Sequence, residues 1–340
     1  KRAIDAVSGN ICRCTGYKSI ERAAAAIAEA MQNKNLEQPV KWLVGQNYLP
    51  CYFLDIPEQL QEIDSPTIGY NKNHKIMGGG TDLLVQQQDK MAESQLNRFY
   101  LKDELKSISI ADNQVIIGAA CTANDIALSE QMQGFFPKIK EHFKLISSEP
   151  IRNTATIAGN IMNASPIGDL TIFFLALNSI VILNDTKQKR KLPLKDFFLD
   201  YKKTAIKQGE FIEGIAFQKP VKNLVVNFEK VSKRTHLDIA SVTSAMKIIT
   251  ENGTIKECSI SAGGVKAIPL FLSQTSEYLS GKKLSAELIR KANEIMQTEI
   301  SPISDVRGTS EYKRLLLKQI LFAHFMELFP EYVAKEALLG

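Results

Sequence analysis

Apolar and polar positions along the chain divide it into a helical opening, a long alternating middle and a sheet-like close. From Ser19 to Gln32 the run ERAAAAIAEAMQ consists of strong helix formers behind a serine that can cap them, so one helix is predicted. The polar stretch NKNLEQP, ending in Pro39, breaks that pattern and marks a first boundary. Beyond it, short apolar runs alternate with helix-type spacing. HKIMGGG reads as a strand running into glycine, TDLLVQQQDKM as a helix, NQVIIGAACT as a strand and ANDIALSEQM as a capped helix. SIVILND and KLPLKDFF read as strand, turn and strand, and GEFIEGIAF as another strand, before a second linker near QKPVKN. From Leu224 three strand-like runs follow: LVVNFEKVS, ASVTSAMKIIT and TIKECSISAGGV. Asn252–Gly253 lies between the last two as a hairpin turn. Helices around 285–298 and 310–328 close the chain, which predicts a small sheet covered on one face by helices.

The longest apolar runs, LTIFFLAL and SIVILN, are separated by Asn178 and Ser179, and neither can span a bilayer. No membrane segment and no opening signal peptide are expected. A length of 340 residues suggests two or three domains, with 44% hydrophobic and 23% charged residues, as in an ordinary globular protein. The net charge of +5 is spread thinly, and KQKRK at 187–191 reads as a hairpin tip, so no nucleic-acid partner is expected. Five cysteines without a secretory signal point to a reducing, cytoplasmic setting without disulfides. Cys51, Cys121 and Cys258 read as small buried apolar residues. Cys12 and Cys14 differ: GNICRCTGY sets two thiols one residue apart beside a turn, like half of a metal site. The first residue is lysine rather than methionine, as expected of a fragment or processed product whose other half-site was cut away.

Three further stretches carry candidate chemistry. In IMGGGTDLLV, Gly78, Gly79 and Gly80 follow a strand and precede a helix. A P-loop is excluded because no Gly-Lys-Ser/Thr follows, and a dinucleotide fingerprint fails because Leu83 stands where a glycine is needed. A phosphate-cradling loop of another kind and a plain tight turn both remain open. IRNTATIAGNIMNASPIGDL, 151–170, is crowded with small and polar residues and reads as a long irregular loop that binds a polar ligand. In EKVSKRTHLDIASV, 229–242, basic residues and His236 precede Asp238 at the mouth of a strand, and a solvated loop accounts for them equally. The four histidines stand at no metal-ligand spacing, which excludes zinc, and no hydrolase nucleophile motif is present.

With these stretches in hand, the chain resembles the flavin-carrying small subunit of bacterial xanthine dehydrogenases, within the molybdenum hydroxylases. SGNICRCTGY, GGGTDLLV, TIAGNIMNASPIGDL, LPLKDFF, SKRTHLDIASV and SDVRGTSEYKR resemble family signatures in the family's order, across nearly the whole chain. The resemblance implies an α+β protein in three parts. Residues 1–40 would be a remnant of the helical [2Fe-2S] domain plus linker. Residues 41–220 would be an FAD-binding domain of the vanillyl-alcohol-oxidase type, and 224–332 a C-terminal domain of the CO dehydrogenase flavoprotein type. It implies that Lys75, Ile76, Met77, Gly78, Gly79, Gly80, Thr81, Asp82 and Leu83 form the loop around the FAD pyrophosphate. Thr156, Ile157, Ala158, Gly159 and Asn160 would form the second flavin loop, with Ser165 also among the cofactor positions. Asp169 would bond a flavin-chain hydroxyl, and Lys230 and Phe211 would lie nearby. Cys12 and Cys14 match the later pair of a [2Fe-2S] cluster, two of the four thiolates it needs. The implied partners are a molybdenum-bearing large subunit in a hetero-oligomer and NAD as acceptor. This chain would supply no catalytic acid or base. Two alternatives remain: the FAD subunit of an aldehyde, nicotinate or CO type hydroxylase, and a non-catalytic docking remnant.

Overall fold

Strong helix formers decide the N-terminal part of the computed structural model, which describes residues 2–7, 9, 17–63, 69–234, 237–333 and 338. Residues 1–69 form one compact unit and residues 70–340 another. Among its described residues the first contains four helices: α1 (Arg2–Ala6), α2 (Tyr17–Ala30), α3 (Pro39–Gly45) and α4 (Ile56–Gln61). The alanine run forms α2, but the helix begins at Tyr17, so Ser19 sits inside its first turn rather than capping it. Pro39 opens α3 instead of ending a segment, because proline at the first helical position forfeits only an N–H that has no helical acceptor. Cys51 is exposed, contrary to expectation, while Cys121 and Cys258 are buried. Cys12 and Cys14 lie outside the described residues.

In the second unit, β1 (Lys75–Met77) and β2 (Leu96–Arg98) pair in parallel, joined by α5 (Leu83–Gln86) and α6 (Gln88–Ala92). The single helix expected over this stretch is interrupted at Gln87, whose φ of −142° is not helical. A five-stranded antiparallel sheet follows. It contains β3 (Ile108–Ala111), β4 (Gln114–Gly118), β5 (Ile180–Asn184), β6 (Lys189–Pro193) and β9 (Phe211–Gln218), in the order β3-β4-β9-β5-β6. A small hairpin, β7 (Phe198–Asp200) with β8 (Lys203–Thr204), hangs between β6 and β9. Six helices interrupt the sheet between β4 and β5. They are α7 (Ala123–Leu128), α8 (Glu130–Phe135), α9 (Ile139–Lys144), α10 (Glu149–Arg152), α11 (Ile157–Asn163) and α12 (Asp169–Ala176).

The irregular loop expected over 151–170 is therefore mostly helical. Thr156 stops the backbone in an extended conformation and accepts from the Gly159 N–H, which starts α11. Ala164, at φ 46°, turns the chain out of it. In α12, Leu170 to Ala176 are all buried. A helix apolar on every side has to sit inside the core. Phe173 packs edge-on against Phe136 and Phe143, and Phe174 packs on Phe217 of β9.

The C-terminal strands β10 (Leu224–Val231), β11 (Val242–Glu251), β12 (Thr254–Gly263) and β13 (Leu270–Phe271) form one antiparallel sheet in sequence order. Asn252 and Gly253 both take positive φ, 51° and 73°, which matches the right-handed twist of β11 and β12. The helices α13 (Ser273–Leu279), α14 (Ala286–Glu299) and α15 (Ser310–Leu328) follow. Alternation along the strands sends Val242, Met246, Ile248, Ile260 and Ala262 into a core shared with α14 and α15. Ala245 and Phe228 instead join the core that holds α12. The sheet is thus covered on both faces, not one, and α12 lies between it and the five-stranded sheet. The whole is the mixed α+β fold expected.

Candidate FAD site

The glycine run begins where β1 ends. Glycine is required here for a measurable reason: a Cβ on Gly79 would stand 1.6 Å from the Thr154 carbonyl oxygen, and one on Gly78 would stand 2.4 Å from Thr156 Oγ1. Gly80 takes φ 73°, a conformation that costs glycine little. The run therefore lies directly against the segment that leads into α11. The backbone N–H groups from Gly78 to Asp82 donate to no acceptor among the described residues. Five successive amides without partners at the head of a helix form a concave cluster suited to an anion such as a pyrophosphate.

The second loop is built differently. Ile157 N–H donates to the Cys121 carbonyl, Ala158 N–H to Ala119, Gly159 N–H to Thr156 Oγ1 and Asn160 N–H to the Thr156 carbonyl. Its amides are spent within the protein, so it forms a wall while the glycine loop forms the cradle. Asn160 Oδ1 accepts from the Thr171 N–H at 3.0 Å and from Thr171 Oγ1 at 2.8 Å, which fixes the side chain. The Nδ2 group is left for a ligand.

Between the two loops opens a cleft of about 520 Å³. It is lined by Ile76, Gly78 to Leu83, Thr156, Ala158, Gly159, Asn160 and Phe211 from the sequence-based set. Phe211 packs against Phe99 at 5.0 Å and Tyr70 at 4.9 Å, giving the cleft an aromatic floor. Lys75, Met77, Ile157, Ser165, Asp169 and Lys230 lie outside the lining. Lys75 and Met77 belong to β1, Ile157 is fully buried in the core, and Ser165 Oγ accepts from the Ile167 N–H.

Asp169 and Lys230 face each other. Lys230 Nζ stands 2.7 Å from Asp169 Oδ2 and donates to the Leu145 carbonyl at 2.9 Å. Their side chains are 11% and 2% exposed, so this pair is buried. Asp169 Oδ1 has no hydrogen-bond partner among the described residues. Burial pushes the Asp169 carboxyl above its ordinary range, against the pull of the Lys230 ammonium.

Among the lining residues that sequence reasoning missed, three carry charge or an aromatic ring. Lys202, at φ 57° in the β7–β8 turn, donates to the Asn163 carbonyl and, at 2.7 Å, to Asn163 Oδ1, tying the end of α11 down. Glu210 is clamped in a fork by Arg190 at 2.6 and 2.8 Å, and that guanidinium holds its carboxyl below the ordinary range. Phe99 comes from the turn after β2. All three reach the cleft through pairings across many residues, which no local pattern displays. The strap after Lys230 holds Arg234 and Asp238 together at 3.5 Å; Thr235 and His236 lie outside the described residues. No cluster of three metal-ligating side chains occurs among the described residues. No helix there is long and apolar enough to cross a membrane.

Residues 55–219 match the FAD-binding domain in molybdopterin dehydrogenase, and residues 228–328 match the CO dehydrogenase flavoprotein C-terminal domain. The glyceraldehyde dehydrogenase medium chain of Sulfolobus acidocaldarius is 28% identical over 286 residues, covering 83% of this chain and 99% of that protein. Xanthine dehydrogenase 1 of Arabidopsis thaliana is 28% identical over 275 residues, covering 74% of this chain but only 20% of that protein. A crystal structure of the Cu,Mo-CO dehydrogenase in its cyanide-inactivated form contains a chain similar in fold. It superposes with a TM-score of 0.69 at 25% identity, over 74% of this chain and 87% of that one. With the two domains matched in tandem and a cleft of unpartnered amides at the expected loop, the chain belongs to the FAD-binding subunits of the molybdenum hydroxylases, a family of oxidoreductases.

Proposed function

We propose that this chain is the flavin end of an electron relay. It would receive electrons from a molybdenum-bearing partner subunit and pass them to NAD. The observation that carries the reading is the row of free amides from Gly78 to Asp82, facing a cleft with an aromatic floor. Those amides would hold the FAD pyrophosphate, Asn160 would present its Nδ2 group to the flavin, and Phe211 and Phe99 would give its rings an apolar surface. Lys202 would bring one positive charge to the same cleft. Bound FAD would supply the junction chemistry, taking up electrons singly and releasing them as a pair. The protein's part is binding, orientation and exclusion of water. Cys12 and Cys14 would contribute two thiolates to a [2Fe-2S] cluster completed by ligands outside this sequence.

The substrate is set by the molybdenum subunit. Xanthine is our first reading, because CRCTGY stands on the same chain as the flavin loops and NASPIGDL leans that way. Aldehyde, CO and nicotinate hydroxylation are supported equally by the similarity to a glyceraldehyde dehydrogenase, a CO dehydrogenase and a nicotinate dehydrogenase FAD-subunit. A cytoplasmic setting fits the cysteine usage. The deciding experiment is an absorbance spectrum of the purified chain with released-flavin and iron assays on the same sample. About one FAD per chain with little iron is expected. Absence of flavin after incubation with FAD would overturn the reading. Co-purification of the large subunit, assayed with xanthine against an aldehyde and nicotinate, then separates the substrates.

A further inference from the structure

A second cavity, of about 430 Å³, lies where the end of α12 and β6 meet β12 and α13. Its walls bring together Ser179, Ser259, Ser276, Asn178, Lys195 and Glu277. Asn178 holds a positive φ of 55°, which no apolar turn needs, and stitches the two domains by donating to Ser259 Oγ at 2.8 Å. The hydrogen-bond inventory of the wall is lopsided. Ser259 Oγ accepts from Asn178, and Ser276 Oγ accepts from the Ile260 N–H at 3.0 Å; neither hydroxyl proton has an acceptor among the described residues. Ser179 is only 2% exposed, and its Oγ has no partner among the described residues. Buried hydroxyls are normally paired, because an unpaired one has lost its hydrogen bonds to water without replacing them. Lys195, at the rim, faces the Phe271 ring at 5.7 Å and pairs with no carboxylate among the described residues.

We propose that this cavity is a binding site for a small carboxylate metabolite. Three hydroxyl protons without acceptors and one ammonium without a counter-ion are donors seeking an oxyanion. Glu257 does not act as the internal acceptor: its Oε1 takes Lys247 and, at 3.4 Å, Asn178, and none of the three hydroxyls donates to either of its oxygens among the described residues. Glu277, exposed at the rim without a cation partner among the described residues, disfavours polyanions and suits a ligand carrying one carboxylate or a carboxylate with an ammonium group. Because the walls come from both domains, occupancy fastens the C-terminal sheet to the α12 end. The ligand would act at a distance from the flavin cleft, whose lining shares no residue with this cavity.

The test uses the full chain loaded with FAD and two probes, glycerate and glutamine, followed by saturation-transfer NMR and by thermal unfolding. Saturable binding of either probe with a dissociation constant of about 1 mM or tighter is expected. Ser179→Ala and Lys195→Met should each weaken it about tenfold. Ser179→Ala should leave the unliganded melting temperature unchanged or higher, since it removes an unpaired buried hydroxyl, and flavin content should stay at the wild-type level in both variants. No saturable binding of either probe overturns the proposal. So does binding that both variants leave intact, or binding of inorganic phosphate in preference to both probes.

Discussion

At the scale of single residues, the glycines divide by what surrounds them. Gly79 is held against a backbone carbonyl that cannot rotate away, so even one methyl group forces the glycine loop and the Thr154 segment apart. Gly79→Ala is expected to lower the flavin-to-protein ratio severely and to cost about 1–3 kcal/mol of stability through overpacking. Gly134, inside α8, has open space where its Cβ would stand. Gly134→Ala is therefore expected to raise stability by about 0.5–1 kcal/mol and leave flavin untouched. Flavin release assays and chemical unfolding of the two variants check both expectations. Full flavin loading in Gly79→Ala would remove the cradle from the site. The motif had suggested glycine for the sake of the ligand, whereas the geometry shows that its first duty at this position is to let two loops touch.

At the scale of elements, the buried Asp169–Lys230 pair ties the first residue of α12 to β10. Resemblance assigns both residues to the flavin, but here each is the other's partner. A tie predicts that Asp169→Asn, which takes the counter-charge from a buried ammonium, destabilises by about 3–5 kcal/mol. The double variant Asp169→Leu with Lys230→Met should regain most of that loss and keep FAD. Flavin dissociation constants and unfolding curves on all three proteins decide it. A double variant that is stable yet flavin-free would return Asp169 to the cofactor. The same pair shows where sequence was readable. The hairpin at Asn252–Gly253, the helices near 286–299 and 310–328, and the glycine loop could be read because their signals are local. The 151–170 segment could not, since its helices rest on the Thr156 cap, on close glycine contacts and on burial of α12 between two sheets. Nor could Lys202 or Arg190, whose partners lie 39 and 20 residues away.

At the scale of the whole molecule, a chain of buried polar groups runs from α15 through the four-stranded sheet to α12 and sets a limit on acid tolerance. Asn227 Nδ2 donates to His324 Nδ1 at 3.0 Å, so His324 carries its proton on Nε2 and donates to Ser244 Oγ at 3.1 Å. Ser244 donates to the Ser261 carbonyl, and Ser261 Oγ donates to Ile172 in α12. His142, on α9, packs against Phe228, and its Nδ1 is buried without a partner. Burial lowers the pKa of His142 to about 4, with Lys138 adding to the shift and Glu141 and Glu327 opposing it. Burial lowers that of His324 to about 3, with His142 adding to it. Glu229, bonded to Asn227, is the further charge beside this network. Both histidines are neutral when folded and take up protons near pH 6.5 when unfolded. The unfolded state therefore binds more protons below pH 6.5, and stability falls as the pH drops from there toward 4, by up to about 1.4 kcal/mol per pH unit for each histidine. Asp169, with its carboxyl pKa raised, works in the opposite sense over part of that range, so the wild-type slope alone is ambiguous. His142→Leu removes one term while keeping the packing against Phe228. Between pH 6.5 and 5 its urea unfolding free energy should fall less steeply than that of wild type, by about 1 kcal/mol per pH unit. Parallel slopes in the two proteins would mean that His142 is protonated in the fold and that the contact between α9 and β10 is open to water.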